Sequence, residues 1–380
     1  MTERERAFHL LRRIERESAY ASLVLHDETG FVRTLVLGVL RWRSRLDHAI
    51  KTLAERPLSK LDPIVVDILR LGIYQLMFMD VAPYAAVSET VDLAGRHATR
   101  ARGFVNAILR RASQTDLKSL AGDLATRTAH PQWLLDRWIR MFGEARAAAI
   151  AEANQELSYP DVFASTPPEG AEPSRLVAGM FKLAGSSANV EGYALDEGSG
   201  VIADLAAATS HDVLDLAAAP GGKTIVMSAR GADVISNDVS IARLRPLVTR
   251  SRKIVVSDGR RPPFRKRFET VLLDAPCSAT GTIRKNPEIK WRLREGDLPK
   301  FASLQSELLV AAKELATQYV VYSTCSLEPE ENDAIVAGSA RGDVKDFVNG
   351  EVARWVENGV LRLTPESGTD GFTAFVLRVN

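Results

Sequence analysis

The stretch VLDLAAAPGGKT, residues 213–224, reads as a strand, a tight turn and the start of a helix. Its apolar run delivers Asp215 and ends in Gly221 and Gly222, which lack Cβ and let the backbone bend sharply and approach a ligand closely. The helix start offers unpaired N–H groups to an acceptor such as a carboxylate. Downstream the unit repeats. "ADVISND" is a second short apolar strand, "KIVVSD" a third, "ETVLLDA" a fourth and "QYVVYST" a fifth, with helical stretches such as "LPKFASLQSELLVAAKELAT" between them. Strands alternating with helices imply a mostly parallel, doubly wound α/β sheet of Rossmann-like type. "GVLRLTP" and "GFTAFVLRVN" look like an antiparallel pair closing one edge.

The glycine turn has rival readings. "GGKT" is similar to the end of a phosphate-binding loop, but that pattern needs glycine at the position of Ala217, and Pro220 has no N–H to offer a phosphate. A dinucleotide site wants G-x-G-x-x-G, whereas these glycines are adjacent. S-adenosylmethionine fits better, since it carries a carboxylate, a ribose and an adenine but no phosphate. Asp238 ends the second strand 16 residues after Gly222, close to the ~20-residue offset at which an acid meets ribose hydroxyls in such folds. Asp215, Asp238, Asp258 and Asp274 fall at successive strand ends, the edge where doubly wound sheets bind ligands. One such aspartate is more often a helix cap; four in series beside a glycine turn favour a site.

The chain holds two cysteines, Cys277 after "DAP" at the end of the fourth strand and Cys325 after "YST" at the end of the fifth. A lone buried cysteine is usually a small apolar filler. Two at neighbouring strand ends would face the cofactor's crevice together. Chemistry supplies a use for a thiol there. Carbon 5 of a pyrimidine is a poor nucleophile, and addition of a thiolate to C6 makes C5 enamine-like, so that it attacks a sulfonium methyl. Because a free thiol has a pKa of about 8.5, its surroundings must favour the thiolate. An acid must support charge on the ring, and protonated Asp274 near N3 is a candidate. Nothing in the residues themselves ranks one thiol above the other.

Before residue 115 the pattern is all-helical. "AFHLLRRI", "FVRTLVLGVLRWRSRLDHAIKTL", "PIVVDILRLGIYQLMFM" and "GFVNAILRRA" place apolar residues at helical spacing, with breaks near Gly30, "ERPLSKLDP" and "DVAP". We expect a helical domain over 1–120, a linker or small subdomain over 121–195, read as loop through "SYPDVFASTPPEGAEPSRL", and the α/β domain over 196–380. The most apolar stretch is interrupted by Asp67, Arg70 and Asp80, which argues against a membrane span. A charged N-terminal start without an apolar signal segment points to the cytoplasm, where thiols stay reduced.

Net charge is only +1, so its distribution matters more than its sum. Residues 1–112 carry 18 Lys+Arg against 13 Asp+Glu. Residues 250–267, "RSRKIVVSDGRRPPFRKR", carry eight basic residues and one acid, and a second cluster follows at Arg284, Lys285, Lys290, Arg292 and Arg294. A single charge run is usually a solvated face. Two runs flanking one site suggest a polyanionic substrate whose phosphates they grip.

"AAAPGGKT", "NDVS", "SDGR", "DAPCSATGTIRKNPEIKW", "YSTCSLEPEEN" and "GTDGFTAFVL" resemble, in order, the motifs of the RsmB/Sun family of RNA cytosine-C5 methyltransferases. The helical start resembles a NusB-type RNA-binding domain. The resemblance implies a multidomain protein that methylates cytosine C5 in small-subunit (16S) ribosomal RNA, as a monomer without a metal. It implies that Ala217, Ala218, Ala219, Pro220, Gly221, Gly222 and Lys223 hold the methionine end of S-adenosylmethionine, Asp238 its ribose and Asp258 its adenine, with Asp274 between cofactor and base. Cys325, in the "TC" motif, would be the nucleophile, and Cys277, in the "PC" motif, would assist product release. The chain departs from the pattern at Ala217, where cysteine is frequent, at Leu195, where glutamine is expected, and at "YPDVFASTPPEG", which replaces an "LRVN"-like segment. A different class remains open on residues alone, a NusB-like RNA-binding protein with a vestigial methyltransferase domain, which would bind no S-adenosylmethionine.

Overall fold

A computed structural model describes residues 1–380 except 18, 121, 186–189, 252, 349 and 380. The chain divides into two compact units, residues 1–156 with 286–295, and residues 157–285 with 296–380.

The first unit is helical. Its long helices Glu3–Glu17, Gly30–Ala54, Pro63–Phe78, Pro83–His97 and Arg102–Gln114 surround one apolar core that includes Leu11, Leu35, Leu46, Ile68 and Leu109. Caps set their starts: Thr29 Oγ1 accepts from Val32 N, and Asp62 accepts from Ile64 N ahead of Pro63. Two shorter helices, Gln132–Phe142 and Glu144–Ala153, follow. Residues 286–295, far along the sequence, complete this unit. There Trp291 Nε1 donates to Leu40 O (2.6 Å) and Lys290 Nζ to Arg41 O (2.8 Å).

The second unit begins with a small antiparallel sheet of β1 (Asp161–Phe163), β2 (Glu172–Pro173), β3 (Met180–Lys182) and β4 (Tyr193–Ala194), in the order β2-β3-β1-β4. β1 and β2 fall within "SYPDVFASTPPEGAEPSRL", whose Pro, Ser and Gly content suggests a loop or subdomain connection. Strands of two or three residues, interleaved with Pro and Gly, carry too little alternation to be seen.

The main sheet has eight strands: β5 (Asp212–Asp215), β6 (Asp233–Asp238), β7 (Ile254–Val256), β8 (Phe268–Asp274), β9 (Ala316–Thr324), β10 (Val356–Glu357), β11 (Val360–Leu363) and β12 (Phe372–Arg378). Their order is β10-β11-β12-β9-β8-β5-β6-β7, with β5 to β9 parallel and β10 to β12 antiparallel. Side chains alternate across it. Leu272 and Val321 pack with the helices Glu197–Thr209 and Gly222–Ala229 on one face, while Val271, Leu273, Val320 and Tyr322 meet the helix Leu298–Leu315 on the other. Covering both faces explains why these strands read as unbroken apolar runs. The chain order reverses between β5 and β8, which places a crevice at their carboxyl ends. Among the described residues no helix is long and apolar enough to cross a membrane.

Candidate active site

The glycine turn leaves β5 and is held from several sides. Ala218 N donates to Asn237 O (2.8 Å), Ala219 N to Asp238 Oδ2 (3.1 Å), and Tyr193 OH to Pro220 O (3.0 Å). Gly221 has φ +110°, and a Cβ there would lie 2.7 Å from Leu247 Cβ, so the turn demands glycine twice over. The helix Gly222–Ala229 starts here, its first N–H groups unpaired within the helix.

The strand-end acids are not equivalent. Asp215 is fully buried, with Oδ2 accepting from Thr224 Oγ1 (2.7 Å) and Oδ1 without a hydrogen-bond partner among the described residues. Burial pushes its carboxyl up to about 7, only partly countered by Thr224 and Lys223. Asp238 accepts from Ala219 N and, at 2.9 Å, from Ser240 N, which leaves further lone pairs on both oxygens. Asp258 lies two residues past β7, and hydrogen bonds from Arg260 (2.7–3.1 Å) pull it down to about 2. Arg260 in turn reaches Glu307 (3.2 Å).

Asp274 ends β8 opposite Ser323 of β9, whose hydroxyl donates to Asp274 Oδ1 (2.8 Å). Its Oδ2 lies 2.7 Å from Lys223 Nζ. Burial works against the Lys223 ammonium, but Asp274, Asp215 and Cys325 outweigh it and raise its pKa. Lys223 of the glycine motif thus reaches the thiol-bearing strands, a link its place in the sequence did not reveal.

The parallel pairing of β8 with β9 brings the two turns together. Cys277 Sγ and Cys325 Sγ are 3.2 Å apart, both half-buried and both free thiols. The hydrogen bond with Cys325 and burial push the Cys277 thiol well up, so it stays protonated beside its neighbour. Gly281 N donates to Cys325 O (2.9 Å), and Asn332 Nδ2 donates to Ser326 O (2.9 Å), fixing the turn around Cys325.

The second basic cluster is corrected at Arg284, Lys285 and Lys290, while Arg292 is half-buried and Arg294 exposed. Arg284 is buried and donates to Gly368 O (3.0 Å). Lys285 is enclosed by Asp161, Asp196 and Asp370, and Lys290 is buried in the helical unit. These side chains answer internal acids and carbonyls and are not presented to phosphates. In the run at 250–267, Lys253, Arg261 and Arg265 are exposed, while Arg252 lies outside the described residues.

Fold and turn together define a class, the S-adenosylmethionine-dependent methyltransferases. The residues fit that cofactor: a glycine cradle at a helix start, a buried aspartate oxygen lacking a partner, and an aspartate with spare acceptor sites at the next strand end. Residues 202–377 match the family model described as 16S rRNA methyltransferase RsmB/F, and residues 1–114 match the NusB family. A putative methyltransferase of Mycobacterium tuberculosis is 33% identical over 99% of this chain and 96% of its own length. The ribosomal RNA small subunit methyltransferase B of Shigella flexneri is 33% identical over 81% of each chain. Among solved structures, PH0851 aligns with TM-score 0.73 at 22% identity, covering 99% of both chains. NSun6 from Pyrococcus horikoshii, solved with SFG, aligns with TM-score 0.53 at 20% identity, covering 65% of this chain and 98% of that one. The chain belongs to the RsmB/F family of 16S rRNA methyltransferases and carries that family's methyltransferase domain behind a NusB-type helical domain.

Proposed function

We propose that this protein methylates C5 of a cytosine in 16S ribosomal RNA through a covalent intermediate on Cys325. The observation that carries the reading is the pair of sulfurs 3.2 Å apart, on turns that begin within three residues of Asp274 and Ser323. Cys325 thiolate adds to C6, forming a C–S bond and moving the C5–C6 π electrons onto C5 and, through C4, onto N3 and the C2 carbonyl. The Lys223 ammonium is paired with Asp274 at 2.7 Å and feels the Cys325 side of the site, which keeps a positive charge beside the thiols. Residues 217–223 would hold the methionine end of S-adenosylmethionine, Asp238 its ribose and Asp258 its adenine, and the cofactor would supply C5 with an electrophilic methyl, leaving as S-adenosylhomocysteine. After a base removes the C5 proton, the C–S bond breaks and the electrons return to Cys325. The Cys277 thiol, protonated and in contact with the departing sulfur, eases that cleavage by hydrogen bonding to it. The assignment of nucleophile and helper follows the family motifs.

The target base must leave its stack for a thiol to reach C6, so an unpaired cytosine is the expected substrate. Bisulfite mapping of 16S rRNA from cells with and without the gene tests the proposal. One cytosine should lose its protection in the deletion and regain it with the wild-type chain but not with Cys325→Ser. Unchanged protection everywhere would sink the assignment.

A further inference from the structure

The two sulfur-bearing turns share a buried carboxylate. Glu331 lies in the 3-10 turn Pro329–Glu331, after β9, and is fully buried. Its Oε1 accepts from Ser278 N (2.8 Å) and from Gln305 Nε2 (3.0 Å), and its Oε2 accepts from the hydroxyls of both Ser278 and Ser326. Ser278 follows Cys277, and Ser326 follows Cys325. Gln305 also donates to Pro276 O (2.9 Å), just before Cys277, and Tyr322 OH donates to Glu331 O (2.6 Å). A buried carboxylate is costly unless its lone pairs are satisfied. Here four donors converge on it from three separate segments, so it ties segments together where an apolar residue would only fill space.

We propose that Glu331 is a positioning residue for the paired thiols: by receiving hydrogen bonds from the residues that follow both cysteines, it sets the separation of the two sulfurs. Its role in turnover rests on the covalent cycle proposed above; its role in spacing does not. Its charge also contributes, after the Cys325 hydrogen bond and burial, to holding Cys277 protonated.

Disulfide closure by diamide gauges the spacing without any substrate, because the S–S bond forms as two thiol hydrogens pass to the diazene. Closure is followed by free-thiol titration on the full chain, beside kcat and KM for methylation of a 16S rRNA fragment. In Glu331→Ala, closure should slow and kcat should fall by about 100-fold, the scale of a 1 Å misplacement, with KM for S-adenosylmethionine unchanged. Glu331→Gln keeps an acceptor for Ser278 N and an amide that the two hydroxyls can accept from, and should restore both rates. If Glu331→Ala fails to fold, the double variant Ser278→Ala/Ser326→Ala removes only the hydroxyl arms and should slow closure by itself. Wild-type closure in Glu331→Ala, or in the double variant where Ala does not fold, overturns the proposal. Slow closure with wild-type kcat supports the spacing role and instead contradicts the two-thiol cycle.

Discussion

At the residue scale, Asp215 and Lys223 show how burial and partners compete. Lys223 remains an ammonium because Asp274, 2.7 Å away, outweighs its desolvation. Among the described residues no such cation lies at hydrogen-bond distance from Asp215, and burial raises it from the usual carboxylate range to about 7. The folded chain therefore holds a proton on Asp215 that the unfolded chain has released between pH 3.8 and about 7. Stability from this group is full below that window and falls as pH rises through it, because the native state binds more protons there. Without the methyl donor, Asp215→Asn should erase that decline. Urea unfolding should place the variant ahead of wild type at pH 8 by on the order of 2–4 kcal/mol, and level with it near pH 4. An equal offset at both pH values would show that folding does not raise the Asp215 carboxyl. The sequence placed Asp215, Asp238, Asp258 and Asp274 at strand ends, and the structure puts Asp258 two residues beyond β7. The sequence did not say which would be stripped of partners, since that depends on residues brought in from other strands.

At the element scale, the strands were legible because each is buried on both faces and so forms a continuous apolar run. The small sheet was not, and its contribution is electrostatic as much as architectural. Asp161 on β1, Asp196 capping the helix Glu197–Thr209, and Asp370 just before β12 all converge on Lys285. Burial, then the Asp196 charge, push Asp370 up to about 8 against the pull of Lys285. Replacing Lys285 by Met should leave three carboxylates facing one another and cost roughly 3–5 kcal/mol at pH 8. Thermal melts should show a smaller loss at pH 5, where the acids can take up protons. A loss that does not depend on pH would assign the effect to packing. Reading Lys285 as a phosphate contact failed because a charge count does not reveal which acids fold against a given lysine.

At the scale of the whole molecule, the basic run at residues 250–267 is the charge pattern proposed to grip RNA phosphates, with Arg294 of the second cluster also exposed. Arg261 and Arg265 are exposed in that run. Changing both to Gln should weaken binding to a 16S rRNA fragment and reduce the slope of log K against log salt by roughly 1–2. Filter binding across a salt series reads this directly, and an unchanged slope would remove these arginines from the interface. The change from helical to strand–helix periodicity suggested three segments, 1–120, 121–195 and 196–380, whereas the chain divides into two units that part near residue 157. The membership of residues 286–295 in the helical unit was not legible, because it depends on Trp291 and Lys290 reaching backbone carbonyls of Leu40 and Arg41 some 250 positions away. The proximity of the two thiols hung on whether β8 and β9 are neighbours, and the two strands pair in parallel. Their ranking came from the motifs alone.

That ranking is tested by trapping protein on RNA. Purified Cys277→Ser and Cys325→Ser variants are incubated with S-adenosylmethionine and the 16S rRNA substrate, then resolved under denaturing conditions. Cys277→Ser should accumulate a slow-migrating covalent protein–RNA species, and Cys325→Ser should yield none and no methylated product. An adduct only in Cys325→Ser would exchange the two roles, and no adduct in either variant while methylation continues would contradict catalysis through a thiol.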